Sequence, residues 1–247
     1  MERETLLSWI DQVLKVDEFE DYAPNGPQVE GAPNVTGVLT AVTASLAAIE
    51  RAAEIGANML IVHHGMFWRN EPKTIVGWKK DRVRRLLLND VNMAAYHLPL
   101  DAHPLWGNNA IIGQKMGWRE DRRAQKGLLC LGYASQEQTL SEVARKVGEV
   151  FGGRPIAVGD GNDVVKKVAW CSGAAQGFFQ DAIDWGAELY LTGEASEAQY
   201  HLAQETGCAF LAAGHHRTER FGAMELGAQI AVQFDLPVEF FDEPNPF

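Results

Sequence analysis

Met59-Leu60-Ile61-Val62-His63-His64-Gly65 is an apolar, partly β-branched run that ends in two imidazoles and a glycine. The run from Met59 to Val62 reads as a buried strand. Neighbouring side chains of an extended strand point to opposite faces, so His63 and His64 are expected to serve two different ions rather than share one. Alone, two adjacent histidines are ordinary surface or core residues. Their company changes the reading, because His97-x-x-x-Asp101 and His215-x-x-x-Glu219 each follow an apolar run as well. Four of the seven histidines and two carboxylates thus fall at expected strand ends, which is the signature of a metal site.

Upstream, Leu6, Leu7, Ile10, Val13 and Leu14 recur at helical spacing and predict a helix over 5–16. The glycines and prolines of 21–31 read as a connecting loop. A strand over 35–42 and a helix over 45–55, capped by Ser45 and stopped by Gly56, lead into the quoted run. Downstream, 65–76 is an irregular loop with Phe67 and Trp68, 79–89 a helix, and 91–96 the strand that delivers His97. Pro99 and Pro104 speak against a regular helix next, which puts Asp101 and His103 on a loop.

A helix is expected over 107–116, and the basic segment 119–126 is the best linker candidate. Strands over 128–133, 155–158, 164–171, 188–192, 208–213 and 238–241 then alternate with helices over 140–151, 176–185, 196–205 and 218–234. Such alternation implies a three-layer α/β architecture around mainly parallel sheets. The chain also resembles itself. Val35 to Gly65 lies on Val165 to Ala195 without a gap, matching Val38 with Val168, Gly56-Ala57 with Gly186-Ala187 and His64 with Glu194. A second alignment sets His97-x-x-x-Asp101 on His215-x-x-x-Glu219. The division is therefore expected near residue 125, with 1–125 and 126–247 as two copies of one α/β unit. Sites of α/β proteins lie outside the carboxyl ends of the strands, so all six polar residues converge if the halves face each other.

Composition narrows the function. A formal charge of −11 opposes binding to a phosphate backbone, and the basic stretch Lys79 to Arg85 reads as the solvated face of a helix. Cys130, Cys171 and Cys208 are odd in number and far apart, as in a reduced, cytoplasmic protein. No secretory signal is visible, and no apolar run approaches the roughly 18–20 residues of a membrane span.

Imidazole and carboxylate suit Zn²⁺, Fe²⁺, Mn²⁺ or Ni²⁺, and no thiolate joins the set. Two divalent ions per chain are expected, with His63 and Asp101 on one and His64 and His215 on the other. Glu219 would bridge them, and His97 would add a ligand or position water as a base. His216, His103 and Glu194 would stand behind these ligands, and His201 on a helix surface. An open constellation of this kind favours a hydrolase acting on a small molecule, with His97 and Glu219 as its catalytic residues. The competing readings are a metal carrier and a ring-shaped scaffold with structural metals. Tyr22, Phe67 and Trp68 are candidates to line a pocket.

Asn25-Gly26, Gln28-Val29-Glu30-Gly31, Val62-His63-His64-Gly65, His97-x-x-x-Asp101-x-His103-Pro104, Asn108-Asn109, Thr192-Gly193-Glu194 and Gly214-His215-His216-x-Thr218-Glu219 together resemble the NIF-three-like family. Its members are dinuclear-metal proteins also called GTP cyclohydrolase type-two homologues, and this chain is most similar to the short bacterial form. Pro27 departs from the leucine usual at that place. The resemblance implies two intertwined α/β repeats with a dinuclear site between them, and a ring-shaped homohexamer. It also implies GTP cyclohydrolase or related hydrolytic activity on a nucleotide-like or cyclic amide substrate. There is no G-x-x-x-x-G-K-[ST] loop, so a nucleotide would be held by other means.

Overall fold

A computed structural model describes residues 1–247. The chain forms two compact units, one from 1–106 and 222–244 and the other from 107–221 and 245–247.

The first unit begins with α1 (Arg3–Leu14), β1 (Gly26–Val29), β2 (Val38–Thr43) and α2 (Leu46–Glu54). It continues through β3 (Met59–His64), α3 (Gly77–Leu88), β4 (Asn92–Ala95) and α4 (Leu98–Ala102). The second unit holds α5 (Asn108–Met116), β5 (Trp118–Ala124), β6 (Leu129–Thr139), α6 (Leu140–Phe151), β7 (Ile156–Val158) and β8 (Val164–Trp170). Its remaining elements are α7 (Phe179–Trp185), β9 (Leu189–Thr192), α8 (Glu197–Thr206) and β10 (Ala209–Ala212). Helix α9 (His215–Phe234) belongs to the second unit up to Phe221 and to the first from Gly222, and β11 (Val238–Phe241) closes the first sheet.

The first sheet has the order β1-β4-β3-β2-β11 and the second β5-β6-β8-β9-β10-β7. Strands β2, β3 and β4 are mutually parallel, with β1 antiparallel at the edge beside β4. Strands β8, β9 and β10 repeat that parallel trio, with β7 antiparallel beside β10. The internal similarity seen in the sequence thus corresponds to two sheets with the same central topology.

Period-two burial builds three layers in each unit. In the first, Leu39, Leu60, Val62 and Met93 pack against Ile49 of α2 and Leu86 of α3. The alternate residues Val38, Met59, Ile61 and Ala94 pack on Leu6 and Ile10 of α1 and on Leu226 and Ile230 of α9. In the second unit, Val168, Trp170, Leu189 and Leu211 meet Ile112 of α5 and Val143 and Val147 of α6. Their neighbours Ala169, Tyr190 and Phe210 meet Phe179 of α7 and Ala203 of α8. Each large side chain so buried contributes about 1.5–3 kcal/mol relative to exposure.

Helix ends follow local chemistry. Ser45 Oγ accepts from the Ala48 N–H at 3.0 Å, while Thr139 and Glu142 form a reciprocal cap at the start of α6.

Five expectations differ from the structure. Residues 119–126 are no linker, because Trp118 to Ala124 pair with β6 as an edge strand. Their charges suit an edge, where a polar strand resists pairing with another chain. Segment 21–31 is not all loop, since Gly26 to Val29 pair with β4, and Pro27 is tolerated because β1 is an edge strand. Asp101 lies in α4, where Pro99 occupies the first turn and so costs no helical hydrogen bond. Helix α9 begins at His215 rather than near 218. The unit boundaries also fall at Trp106 and Phe221 rather than after 125, because β11 returns to pair with β2.

Cys130, Cys171 and Cys208 are all buried and unbridged. Burial pushes the Cys208 thiol up to about 12 and raises that of Cys130 strongly. Since the thiolate is the reactive form, Ellman's reagent at neutral pH is expected to label no cysteine in the native protein and three after unfolding. Rapid labelling of the native chain would contradict the burial.

Candidate metal centre

Parallel pairing explains how the first unit gathers its histidines. Val62 pairs with Ala95, and the Tyr96 N–H donates to the Val62 carbonyl at 2.9 Å. Strands β3 and β4 therefore end side by side, and the residues that follow emerge at one sheet edge. His63, His64 and His97 each offer a ligand atom there, all within 4.8 Å of one another. The rings of His63 and His64 lie 4.6 Å apart and those of His63 and His97 5.0 Å. Strand alternation was expected to separate His63 from His64. At the strand terminus it does not, because their rings turn toward a common point. Asp101 joins them, its Oδ2 3.5 Å from His63 Nε2. These distances suit a divalent ion that can draw the donors together.

The fold holds each ring by its other nitrogen. His63 Nδ1 lies 3.0 Å from the Tyr96 carbonyl, a pure acceptor, so Nδ1 carries the hydrogen and donates it. His64 Nδ1 is 3.4 Å from Thr43 Oγ1, and His97 Nδ1 is 2.7 Å from Asp21 Oδ1. The carbonyl and the carboxylate set the tautomer of His63 and His97 and leave Nε2 of each to face a metal, which is how metal-binding histidines are commonly oriented.

Asp21 escaped the sequence reading. Burial would raise its pKa, but hydrogen bonding and charge from His97, with bonds from Asn25 and the Leu98 N–H, outweigh that and lower it to about 2. Asn25 Nδ2 donates to Asp21 Oδ2 at 3.0 Å, while Asn25 Oδ1 accepts the His97 N–H at 2.7 Å. Loop 21–26 is thus a brace for His97. The aspartate stands 76 residues from its histidine, and only the Asn25-Gly26 motif hinted at a role for this loop. Gln28 braces the other side, its Oε1 accepting the Met66 N–H at 2.9 Å. A Cβ on Gly65 would collide with that same amide. Asp21→Asn keeps the volume but removes the charge behind His97. A roughly 10–100-fold loss of metal affinity is expected, read by competition with a chelator. Unchanged affinity would show that the carboxylate serves only the loop.

The second unit repeats the arrangement with carboxylates. The Ala213 N–H donates to the Thr192 carbonyl and the Gly214 N–H to the Gly193 carbonyl, so Glu194 and His215 leave adjacent strands together. Glu194 Oε1 is 2.6 Å from His215 Nδ1 and orients that ring. His215 Nε2 is 3.0 Å from Glu219 Oε2, one helical turn on in α9. Burial lowers the His215 pKa, but hydrogen bonds and charge from Glu219 and Glu194 prevail and raise it to about 9. Without metal the ring is an imidazolium at neutral pH, and a cation must displace its proton. Gly173, also missed in the sequence, supports Glu219. Its φ is +64° and a Cβ there would overlap Glu219 Oε1, while its N–H donates to Thr218 Oγ1 at 3.0 Å.

The other histidines are placed elsewhere. His201 is exposed and pairs with Glu197 at 2.7 Å. His103 accepts the Trp106 N–H and stacks on that indole, and His216 is buried in the first turn of α9.

The donor chemistry, imidazole and carboxylate without thiolate, fits a hard-to-borderline divalent cation. The Duf34/NIF3 (NGG1p interacting factor 3) family model matches residues 1–246. A Neisseria meningitidis protein named GTP cyclohydrolase 1 type 2 homolog is 51% identical over 245 residues, covering 99% of this chain and 98% of its own. A solved structure described as protein ybgI, of unknown function, superposes with a TM-score of 0.97 at 41% identity, each chain covered completely. TTHA1606 from Thermus thermophilus gives a TM-score of 0.91 at 34% identity, again over both whole chains.

Proposed function

This chain belongs to the Duf34/NIF3 family, and from that premise we propose that it is a dinuclear metal-dependent hydrolase. The substrate class proposed is a small nucleotide-like or cyclic amide molecule. One observation carries the reading. The imidazoles of His63, His97 and His215 are each pinned through Nδ1 to a backbone carbonyl or a carboxylate. Such rings are oriented before any ion arrives, which lowers the cost of binding one.

In this proposal His63, His64, His97 and Asp101 of the first unit act with His215 and Glu219 of the second, and Glu219 is shared between two ions. Divalent ions held there would supply Lewis-acid charge and an activated water. The protein's own contribution is orientation and proton control. Asp21 keeps the hydrogen of His97 on Nδ1, which leaves Nε2 to ligate or accept a proton. Glu194 does the same for His215. With no cysteine among the donors, the set is not the closed thiolate cage of a purely structural site. Family membership, with the relatives' name of GTP cyclohydrolase 1 type 2 homolog, supports hydrolytic chemistry. We extend the same reading to a homohexameric ring in the cytoplasm.

The test is element analysis of protein purified without added metal, followed by a hydrolase screen against nucleotides and cyclic amides with the ions found. Two ions per chain and turnover that disappears on chelation are expected. Saturation at one ion under metal excess refutes the dinuclear centre. Two ions without turnover of any substrate, but with ready transfer to a chelator, replaces the hydrolase with a carrier.

A further inference from the structure

A cleft of about 460 Å³ opens within the first unit beside the histidines. Its volume lies in the range of small-molecule sites. Tyr22, Phe67 and Trp68 supply aromatic walls, and Pro24 and Pro72 widen the apolar surface. Trp68 is shared with the candidate centre, since its ring stands 5.1 Å from that of His97 and 5.8 Å from that of His64. Asp21 is shared too, lining the cleft while its carboxylate faces His97. No histidine lines the cleft itself, so a molecule lying in it would meet the histidines through the shared wall of Trp68 and Asp21.

The charges of the cleft oppose those of the chain. Arg69, Lys73 and Lys79 line it against Asp21 and Glu71, and the Asp21 carboxylate is taken up by His97, Asn25 and the Leu98 N–H. The chain as a whole carries −11. Arg69 is exposed at the mouth of the cleft, its guanidinium donating to the Asp21 carbonyl at 2.8 Å. Lys79 is 4% exposed, with Nζ 3.3 Å from Glu71, 3.2 Å from the Pro72 carbonyl and 5.4 Å from the Phe67 ring centre. A lysine so buried is rare unless paired. These contacts lock the floor of the cleft and bring positive charge to an aromatic wall.

We infer that this cleft is the binding subsite for a planar aromatic heterocycle bearing an anionic group, held by stacking on Trp68 and by the cations around it. The aromatic walls select a flat ring, because stacking needs a π-face and tolerates many ring types. The cations select the anionic substituent. The reading rests on the proposed function only in naming this ligand as its substrate.

Calorimetry on the full chain tests the subsite, using pterin-6-carboxylate as the probe and unsubstituted pterin and acetate to stand for its ring and its carboxylate, the two halves. The carboxylated ring is expected to bind at least ~10-fold more tightly than either half. Trp68→Leu should weaken it roughly 10-fold or more, the order expected for a lost stacking partner. Lys73→Glu, on the exposed rim, should weaken the carboxylated ring and leave the neutral pterin unchanged. Thermal melting of both variants and element analysis of Trp68→Leu, expected to match wild type, separate loss of the subsite from loss of the fold or the metal. Equal binding of probe and halves, equal binding by Trp68→Leu, or no saturable heat at roughly millimolar probe overturns the inference. Metal-stripped protein is titrated alongside. Binding that persists there keeps the subsite even if hydrolysis is never found, so the two readings fail separately.

Discussion

Glu219→Gln is expected to strip metal from the purified protein while leaving it folded. The side chain is 3% exposed and lies 3.0 Å from His215 Nε2, so its charge acts in a poorly solvated place where Coulomb terms are large. In the proposed centre it faces two cations and offsets their mutual repulsion. Glutamine keeps the volume and helix propensity but replaces the anion by a neutral amide whose nitrogen cannot ligate. The loss of affinity should exceed the roughly 10–100-fold cost of removing an outer partner. Folding should survive, because the cores around Leu189 and Trp170 and around Met59 and Ile61 are untouched. Element analysis and a thermal melt read the two effects apart. Full metal content in the variant would mean that the bridge has been assigned to the wrong residue.

Gly173→Ala is expected to damage the same place from the backbone side. At φ +64° the residue occupies left-handed space, where a side chain costs of order 1 kcal/mol or more. The added Cβ would also drive into Glu219 Oε1, which must then move. Since Glu219 is buried and paired with His215, that movement has little room. A combined destabilisation of about 2–4 kcal/mol is expected, read as a lower midpoint in urea with the slope unchanged, together with reduced metal content. Gly177→Ala is the control, because a Cβ there meets nothing within 4 Å, and its effect should stay within about 0.5 kcal/mol. Equal midpoints for the two variants would remove Gly173 from the support of Glu219.

Both variants act on a unit whose design repeats. In the first unit Asp21 backs His97, and Asp101 follows one turn later. In the second, Glu194 backs His215, and Glu219 follows one turn later. The orienting carboxylates come from different places. Glu194 leaves the strand beside His215, whereas Asp21 arrives on a loop before β1. The central strand topology and the His-x-x-x-acid spacing are the same in both units, while the supporting carboxylate comes from a different element in each.

The sequence by itself determined the α/β class and most of the strands and helices, and it singled out six candidate donor residues by their His-x-x-x-acid spacing. Those are local properties, since the period of apolar residues and the fixed offset along a helix turn are written in neighbouring positions. Two of the four edge strands leave no such local pattern. Trp118 to Ala124 and Gly26 to Val29 carry charges or a proline and become strands only because β6 and β4 offer hydrogen bonds to them. The tertiary structure alone decided that Asp21 locks His97, that Gly173 leaves room for Glu219, and that His63 and His64 turn toward one point. Each of those depends on pairing between distant segments. Long-range register, unlike periodicity, leaves no mark in the residues nearby, because the partner that satisfies a buried nitrogen or carboxylate is chosen by the strand or loop that comes to lie beside it.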